Sequence, residues 1–181
     1  MAPNKKAKHE WTIQEKDEND YYRYYVQYSL TGQAELSPTQ RGLNFANKLV
    51  CFIGINPPHT GETGQEKTTM SWKAYVEHYG GSSFRVTNLF AHRATSPGAL
   101  LIHEAEEEKN EILDTKCEIY VPCWGTYKKV KPELVPMLKE KALATLKLLK
   151  AQNAPVYIFG MNADFSPKHA MLLKQTPASR K

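Results

Sequence analysis

The 181-residue sequence lacks any apolar run long enough to cross a membrane, and its mean hydropathy is −0.57. No apolar stretch follows the N-terminal lysines, so no secretory signal is predicted and we expect a cytoplasmic protein. Cysteine is scarce: Cys51, Cys117 and Cys123 include no Cys-x-x-Cys pair. This count excludes a disulfide framework and a four-cysteine metal site, so we expect buried free thiols and no metal.

Nucleotide-binding signatures are also missing. Neither a Gly-x-Gly-x-x-Gly motif nor a Walker lysine motif occurs, which argues against dinucleotide and nucleoside-triphosphate enzymes, and we expect no cofactor. Positive charge is what the sequence has: 24 Lys and Arg residues against 19 Asp and Glu give a net charge of +5. Each phosphate neutralised by a cation releases counterions, so this balance favours DNA as a partner.

The length fits one domain with one site. We place this domain at residues 19–174, between a flexible basic tail over residues 1–18 and a C-terminal tail over residues 175–181, and we expect a monomer.

Five apolar runs have the length of β-strands. They cover residues 21–30, 49–55, 84–90, 118–124 and 156–161. The last four are nearly continuous, as in strands buried on both faces of a parallel sheet, whereas the first alternates and predicts an edge strand with one wetter face.

Three segments between the runs predict helices, at residues 71–79, 104–115 and 133–152. The apolar stripe of the last contains Leu134, Leu138, Ala142, Leu146 and Leu149. Alternating strands and helices predict an α/β fold, a three-layer α/β/α sandwich with a central, mainly parallel sheet of at least four strands. Ligands of such sheets bind beyond the carboxyl ends of the strands.

Polar and basic residues follow four of the predicted strands. Residues 54–59 read Gly-Ile-Asn-Pro-Pro-His, residues 88–95 read Asn-Leu-Phe-Ala-His-Arg-Ala-Thr, residues 124–129 read Trp-Gly-Thr-Tyr-Lys-Lys, and residues 162–169 read Asn-Ala-Asp-Phe-Ser-Pro-Lys-His. Any one of them could be turn chemistry alone. Four in this order predict a ligand site at one edge of the sheet.

The order and wording of these segments resemble the uracil-DNA glycosylase superfamily. Residues 54–59 are similar to its first motif, Gly-Gln-Asp-Pro-Tyr-His in one branch and Gly-Ile-Asn-Pro-Gly in another, and residues 124–127 are similar to its Trp-Gly-Ser-Tyr. The closest resemblance, over about residues 49–173, is to a bacterial and phage branch of unknown function and to anti-phage DNA glycosylases. It implies a uracil-DNA-glycosylase-like fold and hydrolysis of an N-glycosidic bond in DNA.

The resemblance implies catalytic roles for two positions. Asn56 would hold the attacking water by its amide, which gains from proximity rather than from proton abstraction. A donor must also stabilise the departing base, whose bond breaks through an oxocarbenium-like state. His169 is the favoured donor, and Ser166 is the alternative because Ser166-Pro167 occupies the place of the superfamily's His-Pro.

Other residues would recognise the flipped base and the DNA backbone. Asn88 offers a donor and an acceptor to the edge of a pyrimidine, and an aromatic ring, Phe90, Trp72 or Trp124, would stack on it. The predicted phosphate contacts are His59, His92, Arg93, Lys128 and Lys168.

Pro58 is an informative departure from the superfamily pattern. In the branch that has Tyr at this position, the Tyr ring packs against C5 of the base. Pro58 lacks that ring. A C5-modified pyrimidine is therefore the expected substrate, and glucosylated hydroxymethylcytosine in phage DNA is the candidate that the resemblance implies. Two other functions stay open: a non-catalytic reader of modified DNA or nucleotide-binding module, and a base-modifying transferase.

Overall fold

A computed structural model of the protein describes residues 9–16, 22–30, 44–57, 67–100 and 116–170. In these ranges lie five strands, β1 (His9–Lys16), β2 (Arg23–Leu30), β3 (Val50–Gly54), β4 (Ser83–Asn88) and β5 (Ile119–Pro122). They also contain two α-helices, α1 (Lys67–His78) and α2 (Val135–Ala151). The predicted helix at residues 104–115 lies outside the described residues.

The strands form one mixed sheet in the order β1-β2-β4-β3-β5. Strand β3 pairs in parallel with both β4 and β5, whereas β2 is antiparallel to its neighbours β4 and β1. Among the described strands only β2 therefore runs against the others. The α/β class and a mostly parallel sheet are confirmed.

The N-terminal part of the chain differs from the prediction. Residues 9–16, expected in a loose tail, form β1, which pairs with β2 along its length. Strand β2 is therefore an inner strand and not the expected edge strand. Its alternating sequence reflects a strand whose side chains meet the core on one face, as Val26 and Tyr28 do, while Gln27 is only half-buried.

One helix contributes to the hydrophobic cluster on each face of the sheet. Val50 and Phe52 of β3 belong to the cluster that contains Trp72 and Val76 of α1. The intervening Cys51 and Ile53 belong to the cluster that contains the buried residues of α2. Because side chains alternate along a strand, β3 is covered on both sides, as its continuous apolar sequence predicts.

The apolar stripe of α2 takes a different course from the predicted one. Leu138, Ala142 and Leu149 are buried, but Leu146 is 40% exposed and Thr145 takes its place against the sheet. The Thr145 hydroxyl donates a hydrogen bond to the Lys141 carbonyl, 2.8 Å away. A threonine can be buried there because the helix backbone satisfies its hydroxyl.

The predicted strand at residues 156–161 is wrong. This segment meets the edge strand β5 only through Tyr120, which donates its N–H to the Pro155 carbonyl and accepts from the Tyr157 N–H. Val156, Ile158 and Met161 are each 40% exposed or more. Of this run, Phe159 packs against the α1-side cluster and lies 4.7 Å from the Tyr75 ring, between centroids, but the neighbouring apolar side chains are exposed, so the apolar composition resembles a buried strand that the segment does not form.

The three cysteines are free and buried, as expected. Burial raises the pKa of the Cys123 thiol to about 12, so this group stays protonated. Neither α1 nor α2 is long and apolar enough to span a membrane.

Candidate functional site

A cavity of about 390 Å³ opens at the edge of the sheet where β3 and β4 end and β2 begins. Its polar and basic lining includes Arg23, Asn56, Asn88, Lys129 and His169, and its apolar lining includes Val26, Tyr28, Trp72, Val86 and Trp124. The volume lies within the range of small-molecule pockets, roughly 300–1,000 Å³. Asn56, Asn88 and His169, expected at one edge of the sheet, line this one cavity.

Backbone carbonyls set the orientation of the Asn56 amide. Its Nδ2 donates to the Ala94 carbonyl at 2.9 Å and to the Pro57 carbonyl at 3.1 Å. Both carbonyls can only accept a hydrogen bond, so the atom that faces them must be the amide nitrogen. The oxygen Oδ1 is left on the other side as an acceptor, in a side chain that is half-buried at the cavity wall.

Asn88 is the last residue of β4, and its side chain is 6% exposed. Its amide makes no hydrogen bond with the residues that the structure describes. The amide borders the cavity, so a ligand there can reach its donor and its acceptor. This donor and acceptor pair on the cavity wall is therefore suited to bind a ligand with complementary groups.

Two turns hold His169 in place. Gly125 has a φ of +83°, and a Cβ at this position would lie 3.3 Å from the Cβ of His169. The Gly125 N–H donates to the Pro167 carbonyl at 3.0 Å, which joins the two turns beside the histidine. Burial and then the positive charge of Lys129 lower the pKa of His169 below 6.5, so its imidazole is neutral at pH 7.

Asp164 ties the same two turns together by side-chain contacts. One carboxylate oxygen accepts from the Thr126 hydroxyl at 2.6 Å and from the Tyr127 N–H at 2.9 Å, and the other accepts from the hydroxyl and N–H of Ser166. Burial acts to raise the pKa of Asp164, but these hydrogen bonds outweigh it and lower the pKa to about 2. The carboxylate stays charged and braces the loop that carries His169.

Ser166, the alternative leaving-group donor, does not line the cavity. It is fully buried, donates its hydroxyl to Asp164 and accepts from Asn162 Nδ2 at 3.0 Å. Its contacts brace the turn, and His169 is the member of the pair that faces the cavity.

The predicted aromatic residues divide into two groups. Trp72 and Trp124 line the cavity, and one face of Trp72 stacks on Phe52 at 5.4 Å between ring centroids. Phe90, predicted to stack on the base, is fully buried in the cluster beneath α2, with Lys141 Nζ 4.8 Å from its ring centroid. The chain leaves β4 at Asn88 and turns, which directs Phe90 into the core, so that prediction is wrong.

The predicted phosphate contacts are also divided. Lys128 and Lys168 are exposed, as a backbone contact requires. His92 and Arg93 are 7% and 3% exposed, and the His92 ring packs edge-on against Tyr22. These two residues belong to the interior and are not surface phosphate contacts. Pro58 and His59 lie outside the described residues.

Sequence analysis missed Arg23 and Lys129 as cavity residues. Arg23 is the first residue of β2, and because β2 runs antiparallel to β4, its amino end lies at the carboxyl end of β4. Arg23 begins a reversed strand, so it does not belong to the residues that follow strands, where the sequence predicts the site. Lys129 lies in the segment over residues 124–129 that follows β5, next to Lys128, which is the predicted phosphate contact of that segment.

No three His, Cys, Asp or Glu side chains of the described ranges are grouped so that they could hold a metal ion. The described structure is that of an α/β protein with a hydrogen-bonding cavity at one edge of its mixed sheet.

Residues 39–171 match the family described as "Protein of unknown function (DUF1643)", so the chain belongs to this family. No curated protein and no solved structure matches the chain.

Proposed function

We propose that this protein is a DNA glycosylase that hydrolyses the N-glycosidic bond of a flipped pyrimidine and leaves an abasic site. The observation that carries the proposal is the meeting of Asn56, Asn88 and His169 in one cavity of about 390 Å³. These residues come from three separate segments, and each supplies a group that the reaction needs. The uracil-DNA-glycosylase-like three-layer sandwich is the finer fold that we propose for the chain.

Asn56 positions the water that attacks the sugar. Its two amide hydrogens are held by carbonyls of the protein, so Oδ1 is the atom left to accept a proton of water. An amide does not remove the proton fully, and its contribution is to hold the water at the anomeric carbon as the oxocarbenium-like state forms.

His169 stabilises the departing base. Its lowered pKa favours a neutral imidazole, which can donate one N–H to the pyrimidine O2 as negative charge develops there. The turns joined by Gly125 and Asp164 fix the ring before the substrate arrives, which avoids a reorganisation cost during the reaction.

Asn88 reads the pyrimidine. Its buried amide has no described partner and can pair with one donor and one acceptor on the edge of the base. Trp72, on the cavity wall, is the better placed aromatic for stacking, because Phe90 is in the core.

The surface charge supports DNA as the carrier of this base. The net charge of +5 and the exposed Lys128, Lys129 and Lys168 near the His169 turn suit contacts with backbone phosphates. The absence of a bulky ring at Pro58 favours a C5-modified pyrimidine. Glucosylated hydroxymethylcytosine of phage DNA is the candidate, and anti-phage defence is the corresponding role.

The test is to incubate the protein with phage DNA that carries glucosylated, hydroxymethylated or plain cytosine, and then to treat the DNA with alkali. Strand breaks at abasic sites, strongest with a modified DNA, are the expected result. Binding of modified DNA without breaks would instead identify a reader that lacks the chemistry. Release of a base from no DNA, together with no binding, would contradict both.

A further inference from the structure

Arg23 is a buried cation on the wall of the cavity. Its side chain is 4% exposed, and its backbone N–H donates to the Ala91 carbonyl at 2.8 Å. Strand pairing fixes this position, because Arg23 is also paired with Lys16 of β1. Arg23 is therefore held by the sheet, so its reach into the cavity does not depend on a loop.

Arg23 lines the same cavity as Asn88, the residue proposed to read the base. The register pairs Tyr25 with Thr87, and the Thr87 hydroxyl donates to the Tyr24 carbonyl at 2.9 Å. The first residues of β2 thus adjoin the end of β4, where Asn88 stands. A ligand that contacts the Asn88 amide can therefore place a substituent against the part of the lining that includes Arg23.

The charge of the cavity has one sign. Arg23, Lys129 and His169 are among its described lining residues, and no Asp or Glu is. Arginine is always charged and offers five N–H donors and no acceptor. Val26, Tyr28 and Val86 line the cavity too, and an apolar wall strengthens a charged hydrogen bond by excluding water.

We infer that the Arg23 end of the cavity binds an oxygen-rich substituent on the pyrimidine, and that Arg23 determines specificity for it. The substituent would present acceptor oxygens to the guanidinium. These oxygens could belong to a carboxylate, to which the guanidinium can donate two hydrogen bonds, or to sugar hydroxyls. The inference rests on the proposed function for the identity of the ligand as a DNA base. An unsubstituted pyrimidine lacks these acceptor oxygens and would bind more weakly.

The test measures binding and base release separately. Fluorescently labelled single-stranded oligonucleotides would carry one central cytosine, 5-hydroxymethylcytosine, glucosylated 5-hydroxymethylcytosine or 5-carboxylcytosine. Anisotropy titrations would give the affinity of the wild-type protein and of Arg23→Lys and Arg23→Gln for each. Alkali cleavage of the same oligonucleotides would report base release.

Arg85 provides the matched control. It is 7% exposed on β4, stacks over Tyr25 at 4.3 Å and donates to Gln27 Oε1 at 2.7 Å, but it does not line the cavity. Arg85→Lys and Arg85→Gln therefore remove a buried guanidinium of the same sheet without touching the proposed subsite.

We expect the wild type to prefer the glucosylated or the carboxylated oligonucleotide over cytosine by about tenfold or more, as a charged hydrogen bond allows. Arg23→Gln should abolish this preference, Arg23→Lys should reduce it, and both Arg85 variants should retain it. The arm that shows the preference identifies hydroxyls or a carboxylate as the bound group.

Two results would overturn the inference. The first is a wild-type protein that binds all four oligonucleotides equally well, a result that does not depend on whether the variants fold. The second is a preference for the glucosylated or carboxylated oligonucleotide that is unchanged in Arg23→Lys and Arg23→Gln. The proposed function fails separately. An Arg23-dependent binding preference without release from any oligonucleotide would retain the subsite and reject the glycosylase. Base release without an Arg23-dependent preference would do the reverse.

Discussion

Gly54 and Asn88 are paired across β3 and β4, and a Cβ on Gly54 would lie 2.6 Å from Asn88 Oδ1. Real Cβ atoms are not found at this distance, so the absence of a side chain at position 54 is what lets the Asn88 amide occupy its place on the cavity wall. Asn88 is the last residue of its strand and Gly54 the last of its neighbour, so the two define the floor of the site.

Gly54→Ala should therefore displace the Asn88 amide while the sheet stays folded, since the clashing atom is at the end of a side chain. We expect a loss of base-selective DNA binding of about tenfold and a fall of about 1–3 kcal/mol in unfolding free energy, as for other overpacked sites. Anisotropy titration and urea unfolding measure the two effects. In an Asn88→Ala background the Gly54→Ala change should add little to the binding loss, and full additivity would show that Gly54 acts independently of Asn88.

Asn56→Ala should slow base release by about 10²-fold or more and leave DNA affinity nearly unchanged, because the amide orients water but does not hold phosphates. Asn56→Asp should also be slow, since a carboxylate cannot donate to the Ala94 and Pro57 carbonyls that orient the amide. Single-turnover cleavage assays give the rates. Asn44→Ala, in an exposed turn, is the control, and an Asn56→Ala protein of wild-type rate would remove Asn56 from the mechanism.

His169→Ala should slow release by about 10²-fold, whereas Ser166→Ala should act mainly by lowering stability, since its hydroxyl is bonded to Asp164 and Asn162. Because burial and Lys129 lower the pKa of His169, its imidazole stays neutral to a lower pH than an exposed imidazole would, and the rate should fall only as the pH drops through this lowered pKa. A pH–rate profile checks this. A larger rate loss in Ser166→Ala than in His169→Ala would exchange their roles.

Asp164 should make stability depend on acid pH. Its pKa is about 2 in the folded protein and about 3.9 in an unfolded chain, so its contribution is complete above pH 4 and is lost as the pH falls through 2. Asp164→Asn should be less stable than the wild type at pH 7, and the gap in urea unfolding free energy should close as the pH falls from 4 to 2. A gap of constant size would show that the charge of Asp164 is not what matters.

DNA affinity should fall steeply with added salt, whatever the base, because phosphate contacts release counterions. Lys128→Ala and Lys168→Ala should weaken binding to all sequences alike and should each lower the salt slope, whereas Lys147→Ala, on α2 away from the cavity lining, should not. Titrations at several salt concentrations provide the slopes. Affinity that is independent of salt would point to a small molecule instead of DNA.

The sequence predicted the parts of the fold that depend on continuous burial. Strands β3 and β5 lie within predicted apolar runs and β4 overlaps a third, and the residues that follow β3 and β5 reach the cavity as expected, since parallel strands end at one edge. The run at residues 156–161 has a similar composition, but Val156, Ile158 and Met161 are exposed and the segment pairs with β5 only at Tyr120 among the described residues. Apolar composition alone does not distinguish these two environments.

Side-chain directions beyond the strand ends were harder to predict. Asn88 and Phe90 are two residues apart, yet one lines the cavity and the other enters the core, because the strand ends between them. Arg93 follows in the same segment and is buried. Arg23 needed knowledge that β2 is reversed, which depends on pairing between residues distant in sequence.

Because β2 lines the cavity, the lining comes from two parts of the chain. Asn56, Asn88 and His169 lie within the family-matched residues 39–171, whereas Arg23, Val26 and Tyr28 precede them. The proposed reaction groups therefore lie in the part of the chain that the family match covers, and the wall proposed to contact the substituent precedes it. Because β2 pairs with β4, which ends at Asn88, a change in β2 that alters substrate preference must keep the pairing that positions Asn88.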